Sequence, residues 1–323
     1  MRIAFSILLT VSALILAAWF AGPELLRAPG DMGEPRSEVH AAELDGTIYV
    51  AGGIGFFRTL KSCAAFDTGE RSFAPCPDLP RALHHVAMTA GDGRVFASGG
   101  YRSLPFVLDE DSELFAFSPD AGDASWRSIA ELPKPVGQHA MVFHDQAVWL
   151  VGGEERNGAV GSLWRYDLRD GNWEERAPMP TARHSHAVAM QDGKLFVTGG
   201  RSETLGSAST IIEMYDFDSD QWQSLPDAPF RLGGHGAAVF AGRLHVFGGE
   251  DIERGTVVAE HASLDIADPG AGWRSETLVS RPRHGFATAR VGDTVWIIAG
   301  GKRAGIRTPW SVTGGAQELA IPN

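Results

Sequence analysis

Cysteine and tyrosine are scarce in this chain of 323 residues: it has two of the first and four of the second. Cations are also in the minority, with 28 Lys and Arg against 40 Asp and Glu, a net charge of −12. That balance argues against a nucleic-acid partner spread over the whole surface. Nucleophile elbows, phosphate loops and zinc motifs are absent. "HH" at 84–85 and "HSH" at 184–186 have no clustered carboxylate or cysteine beside them, so no metal site is expected. Beyond the N-terminal segment, no stretch sustains helical spacing.

What the chain does have is a period. Gly-Gly falls at 52–53, 99–100, 152–153, 199–200, 248–249 and 300–301, at intervals of 47 to 53 residues. Each unit opens on Arg and His and runs through a short apolar stretch such as "HAVAM" or "HGAAVF". A polar turn follows. The next run carries an aromatic or His three residues before the glycines: Tyr49, Phe96, Trp149, Phe196 and His245. After a variable loop come "LWRYDL" or "IIEMYDF", then a second aromatic seven residues on (Phe66 to Phe73, Tyr166 to Trp173, Tyr215 to Trp222). Four short runs separated by Gly, Asp and Pro are four strands. Four strands in about 50 residues make one propeller blade. The glycine pair then ends the second strand, where neighbouring blades converge and a Cβ fits poorly. The recurring Tyr and Trp are expected to pack between blades.

These marks (Arg then His, the double glycine, "YD" at 166–167 and 215–216, Trp173 or Trp222 before a proline turn) resemble Kelch repeats over about residues 24–321. The resemblance implies an all-β, six-bladed β-propeller. It says little of function, because one fold hosts many activities. Unit 1 has Phe73 in place of Trp, unit 2 has "FAFSPD" in place of "YD", and unit 6 stops at "QELAIPN" without a fourth strand. "ELLRAPGDMGEPRSEVH" (24–40) reads like "WEERAPMPTARHSH" (173–186), so residues 24–29 are expected to supply that strand against 317–321 and close the ring. The propeller then occupies residues 23–323 as one domain.

Residues 1–22 stand apart. Arg2 is the only charge, and residues 3–22 are apolar or small. This reads as a signal peptide or an N-terminal membrane anchor. Arg2 keeps the N-terminus inside, so the propeller is expected to be exported, in the periplasm or tethered to the inner membrane. A bridge between the two cysteines suits that compartment. If Phe66 pairs with Phe73 in a hairpin, Cys63 also faces Cys76, since both pairs of numbers share one sum.

Charge is unevenly placed. The loops entering each blade and those after each glycine pair share one face, and hold 16 of the cations but 12 of the acids. That face is +4 and the remainder −16. A cationic face on an acidic body suits an anionic ligand. Arg36, Arg81, Arg183, Arg231 and Arg283 recur where each first strand begins, with Lys134 in that place in unit 3. Arg102, Arg201 and Arg303 follow glycine pairs. These eight arginines are the candidate ligand residues, since a guanidinium fork suits carboxylates and phosphates; they equally suit a role in tying loops together. The recurring His40, His85, His139, His186, His235 and His284 are expected to support the fold.

Galactose oxidase, a copper enzyme, shares the Kelch-type propeller, but its chemistry needs tyrosine ligands and a Tyr–Cys crosslink. Here Tyr49, Tyr166 and Tyr215 sit at packing positions, Tyr101 is alone, and both cysteines lie in unit 1, so no copper oxidase and no cofactor are expected. Three functions stay open: a binding propeller for a protein or acidic glycan, a structural subunit of an envelope complex, or an enzyme on acidic sugars. The last follows from a resemblance to the sialate mutarotases, which are exported Kelch propellers. It would need Arg for the carboxylate and Glu154, Glu155, Glu203, Glu250 or His186 for proton transfer. A deep pocket in the channel mouth would favour the enzyme. A shallow face bearing Phe56, Phe57, Tyr101, Phe106 and Trp310 would favour a protein partner.

Overall fold

Six four-stranded antiparallel sheets stand around a common axis in the computed structural model, which describes residues 31–102, 109–203, 206 and 208–319. The expected leader or anchor at 1–22 lies outside the described residues. Blade 4 shows the plan. Its strands are Ala187–Gln191, Lys194–Thr198, Ile212–Asp216 and Gln221–Leu225, hydrogen-bonded in chain order. Blades 1, 2, 3 and 5 repeat it, beginning with Ala42–Leu44, Ala87–Gly91, Ala140–His144 and Gly236–Phe240. The only helical segments among the described residues are two short 3-10 turns, Pro269–Ala271 and Gly305–Trp310.

Blade 6 closes the ring. Its own strands are Ala287–Val291, Thr294–Ile298 and Thr313–Glu318, and its outer strand is the N-terminal Asp31–Arg36. Asp31 stands opposite Gly315 and Arg36 opposite Thr313. The ends of the chain therefore share one sheet, as expected. The described pairing uses a later segment than 24–29, which itself lies outside the described residues.

The core is six apolar clusters, one in each gap between neighbouring blades. Tyr49 packs on Phe117, Trp149 on Tyr215 and Phe66 on Trp296, each pair from adjacent blades. The fourth-strand tryptophans add a recurring tie. Trp126, Trp173, Trp222 and Trp273 each donate an indole N–H to a carbonyl of the preceding blade (Pro77, Glu131, Ala177 and Pro226) at 2.7–2.9 Å. Blade 1 carries Phe73 at that place and has no N–H to give. Phe73 instead lines a groove of about 740 Å³ at the seam between blades 6 and 1.

The glycine pair behaves as expected. A Cβ on Gly53 would lie 2.5 Å from Val39 Cγ1 and 2.8 Å from the Ser37 carbonyl, and φ is +98°. Blade 6 corrects the sequence reading by one residue. Gly300 donates to the Arg36 carbonyl just as Gly249 donates to that of Arg283, so its pair is Ala299–Gly300, with Ala299 at φ 64°. Gly301 is already the first loop residue, and Trp296 is the sixth aromatic of the repeat.

The Cys63–Cys76 disulfide is present, with Cα atoms 5.1 Å apart. Cys63 opposes Cys76 and Phe66 opposes Phe73 in the hairpin of Cys63–Asp67 and Ser72–Cys76.

Candidate functional site

The innermost turn of every blade is a residue in left-handed conformation: Glu38, His85, Gln138, Ser185, Gly234 and Gly285, all at φ 52–58°. Five of the six junctions between blades carry a main-chain bond here. His85 N donates to Glu38 O at 3.0 Å, Ser185 to Gln138 at 3.0 Å, Gly234 to Ser185 at 3.3 Å, Gly285 to Gly234 at 2.8 Å, and Val39 to Gly285 at 3.3 Å. An axial cavity of about 310 Å³ runs between the first strands, with Glu38, His85, Gln138 and Ser185 at one end and Glu43 and Met190 toward the other.

The polar groups of this ring are linked. Glu38 accepts from His85 Nε2 at 3.0 Å, and His85 Nδ1 lies 2.6 Å from His84 Nδ1. Burial alone would raise the Glu38 pKa. The charges and hydrogen bond of His85, with His284 and Arg201 beyond, outweigh it and hold the carboxyl at about 2. Across the axis, Tyr101 donates to Glu154 at 2.9 Å and Gln138 Nε2 to the same oxygen at 2.7 Å. Arg201 pairs with Glu250 at 3.2 Å, and His284 lies 3.5 Å from both Glu38 and Glu250. Three carboxylates and one guanidinium meet at this centre, with His85 and His284 between them.

The recurring arginines divide accordingly. Arg36, Arg183 and Arg283 are almost wholly buried, at 1%, 1% and 3% exposure. Arg36 donates to the carbonyls of Gly52 and Ser62, Arg183 to Val197 O and Glu213, and Arg283 to Ala299 O and Gln317. They strap the second and third strands of their blades together, and their burial favours the loop-tying role of the two the sequence allows. Arg201 is buried with Glu250, while Arg81 and Arg102 are part-exposed and share Asp111. Arg231 is exposed and bonds the Ala208 carbonyl. Arg303 is exposed.

The histidines do not share one role. His139 and His235 occupy one rung and bond Ser98 and Thr198 of the preceding blade at 2.8 and 2.7 Å. His186 stands on the same rung, buried. His85 and His284 fall one and two residues earlier: His85 lines the axial cavity, and His284 Nε2 meets the Arg303 carbonyl and Thr308 Oγ1. Glu38 and Gln138 were not among the sequence candidates, and Tyr101 was among them only as a surface aromatic. Their signal is the position next to the recurring Arg or after the glycine pair, where residue type changes from blade to blade.

Cationic charge concentrates at the rim. Loops 54–62 and 302–316 contain Arg58, Lys61, Lys302, Arg303 and Arg307 and no acid; the other loops of this face hold eleven cations against twelve acids. Arg58 pairs with Glu34, and Lys61 with Asp78 at 3.4 Å. Lys302, Arg303 and Arg307 are exposed and form no ion pair among the described residues. Beside them stand Phe56, Phe57 and Trp310, exposed by 68%, 47% and 59%. Phe57 packs edge-on between the other two, at 4.8 and 4.6 Å between ring centres. Tyr101, also expected on this surface, is buried at 1%, and Phe106 lies outside the described residues.

A family model described as the KLHDC2/KLHL20/DRC7 Kelch-repeats domain matches residues 23–200, and a Kelch motif model matches 182–229. The chain belongs to the Kelch-repeat family. It is 26% identical over 164 residues to Kelch-like protein 35 of Mus musculus, covering 38% of this chain and 28% of that protein. It is 30% identical over 147 residues to human Kelch-like protein 33, covering 44% and 26%, and 26% identical over 131 residues to beta-scruin of Limulus polyphemus, covering 38% and 14%. The chain thus spans less than a third of the length of these relatives. Among solved structures, YjhT superimposes with a TM-score of 0.74 at 13% identity, over 90% of this chain and 96% of that one, which is a likeness of fold.

Proposed function

We propose that this Kelch propeller is an interaction module whose loop face takes an anionic group, carried by a protein partner or an acidic glycan. The observation that carries the reading is the acid-free pair of loops at the seam of blades 6 and 1, with Lys302, Arg303 and Arg307 outside any described ion pair on a chain of net charge −12. Cations held free of partners cost self-repulsion and attract anions from solution. The test is binding of polyglutamate and of a sulfated glycan at rising salt. Binding should weaken with salt, and the triple variant Lys302→Glu, Arg303→Glu, Arg307→Glu should lose at least about tenfold in affinity. Salt-independent binding, or a triple variant that binds like the parent, would overturn the reading. As part of the same proposal the propeller works outside the cytoplasm, released after loss of residues 1–22 or tethered by residues 3–22. Cell fractionation decides this, and protein confined to the cytosol would end it.

A second reading rests on the Glu38–His85 pair at the axial cavity, an acid–base couple of the kind an enzyme on acidic sugars requires. If it operates, Glu38→Gln and His85→Asn should each abolish accelerated anomer exchange of an acidic sugar followed by NMR. Exchange at the uncatalysed rate with the parent protein removes this reading.

A further inference from the structure

We propose that the seam between blades 6 and 1 docks an extended acidic polypeptide segment that carries one aromatic or aliphatic anchor residue. The proposal rests on the loop-face reading above and names its partner. Four observations converge on the seam. The loops on its two sides, 54–62 and 302–316, bring five cations and no acid; Arg58 and Lys61 are paired with Glu34 and Asp78, and Lys302, Arg303 and Arg307 are left to an acidic partner. Phe56, Phe57 and Trp310 form one exposed cluster from both loops, and such rings are the residues that dominate binding at protein interfaces. Phe56 and Trp310 rim the 740 Å³ groove, whose walls include Met32, Phe73, Pro309 and Val312, so the cluster borders a concavity that accepts a side chain. Finally, one wall of the groove is residues 32–36 of the outer edge strand of blade 6, which offers main-chain groups to an extended chain.

The groove distinguishes a polypeptide from an anionic bilayer. Its concave walls and edge strand suit a single extended chain, whereas a flat headgroup layer would reach only the rim. Phe57 adds an independent mark. It holds φ 53° while half-exposed at the loop surface. A bulky residue is strained in that region, and such strain is tolerated where a side chain must be presented in a fixed direction.

The experiment selects a random-peptide phage library on the full chain and measures the winners by fluorescence anisotropy. Enriched peptides should contain clustered Asp or Glu and one aromatic or leucine. Replacing that residue by Ser, or making Trp310→Ala or Phe57→Gly, should cost about tenfold or more in affinity. Phe57→Gly should melt within a few degrees of the parent, because relief of the strained φ offsets the lost ring contacts, so its lost binding cannot be ascribed to unfolding. Lys302→Glu with Arg303→Glu should lose binding and most of its salt dependence. Winners without acidic residues, or affinity unchanged in Trp310→Ala and Phe57→Gly, would overturn the proposal. So would tighter binding to phosphatidylglycerol vesicles that depends on the same residues, which would make the occupant a bilayer. If polyglutamate binding survives while no anchored peptide is selected, the loop-face reading stands and this one fails. If both are lost, both fail.

Discussion

Replacing Arg183 by Ala tests the division of the arginines into struts and ligand groups. Arg183 and Glu213 are exposed by only 1% and 2%, and their closest approach is 2.5 Å. Burial lowers the pKa of Arg183, and the Glu213 charge partly restores it. Removal leaves the Val197 carbonyl without its guanidinium donor, and Glu213 buried with only Thr181 Oγ1 at 2.9 Å. Breaking one side of a buried pair costs about 3–5 kcal/mol. For a chain of this size that is a fall in Tm of roughly 4–8 °C. The double replacement Arg183→Met with Glu213→Met removes both charges and should recover most of the loss, within about 2 kcal/mol of the parent. Differential scanning calorimetry at neutral pH measures all three proteins. An Arg183→Ala protein that melts with the parent would refute the strut.

Other outcomes follow from the same geometry. Reduction of Cys63–Cys76, or its replacement by two alanines, should cost about 3 kcal/mol from loop closure alone; a Tm insensitive to reductant contradicts this. Burial depresses His139 and His235 to about 3 and His245 to about 4, so the folded protein keeps them neutral while the unfolded chain protonates them below about 6.5. Stability is then full above that pH and should fall by about 2 kcal/mol per histidine on going to about pH 5, before the carboxylates titrate. Thermal melts flat across that window would count against it. Phe73→Trp should supply blade 1 with the indole that four other blades use, raising Tm while narrowing the seam groove and weakening any peptide selected there. An unchanged peptide affinity would show that the groove is not occupied.

The blade plan was legible because its signals are local and repeated. Glycine pairs mark a crowded, left-handed backbone where only Ala299 carries a Cβ, and the equal sums of Phe66/Phe73 and Cys63/Cys76 encode a register that the hairpin keeps. The plan slipped where the spacing did. "SPDAGDASW" and "DIADPGAGW" lengthen the turn before Trp126 and Trp273, so the seven-residue spacing of Tyr166 to Trp173 and Tyr215 to Trp222 does not reach them. In blade 6 the doublet at 300–301 hid Ala299 as the first member of the pair. The candidate site was legible in charge but not in direction. Recurrence cannot tell a guanidinium that faces solvent from one that turns inward onto Val197 O, because both stand at the same position of the repeat. Phe57 gave no sequence signal of its left-handed φ. The axial ring was hidden because Glu38, His85, Gln138 and Ser185 share a backbone position, not a chemistry.

The claim that ligand charge is read by the seam and not by the inner arginines is tested most directly by one comparison. Polyglutamate is titrated at low salt against the parent, the Arg183→Met with Glu213→Met protein, and the Lys302→Glu, Arg303→Glu, Arg307→Glu protein. The account predicts parental affinity for the first variant and a loss of at least about tenfold for the second. Parental affinity in the seam variant, with loss in the folded Met pair, would contradict it.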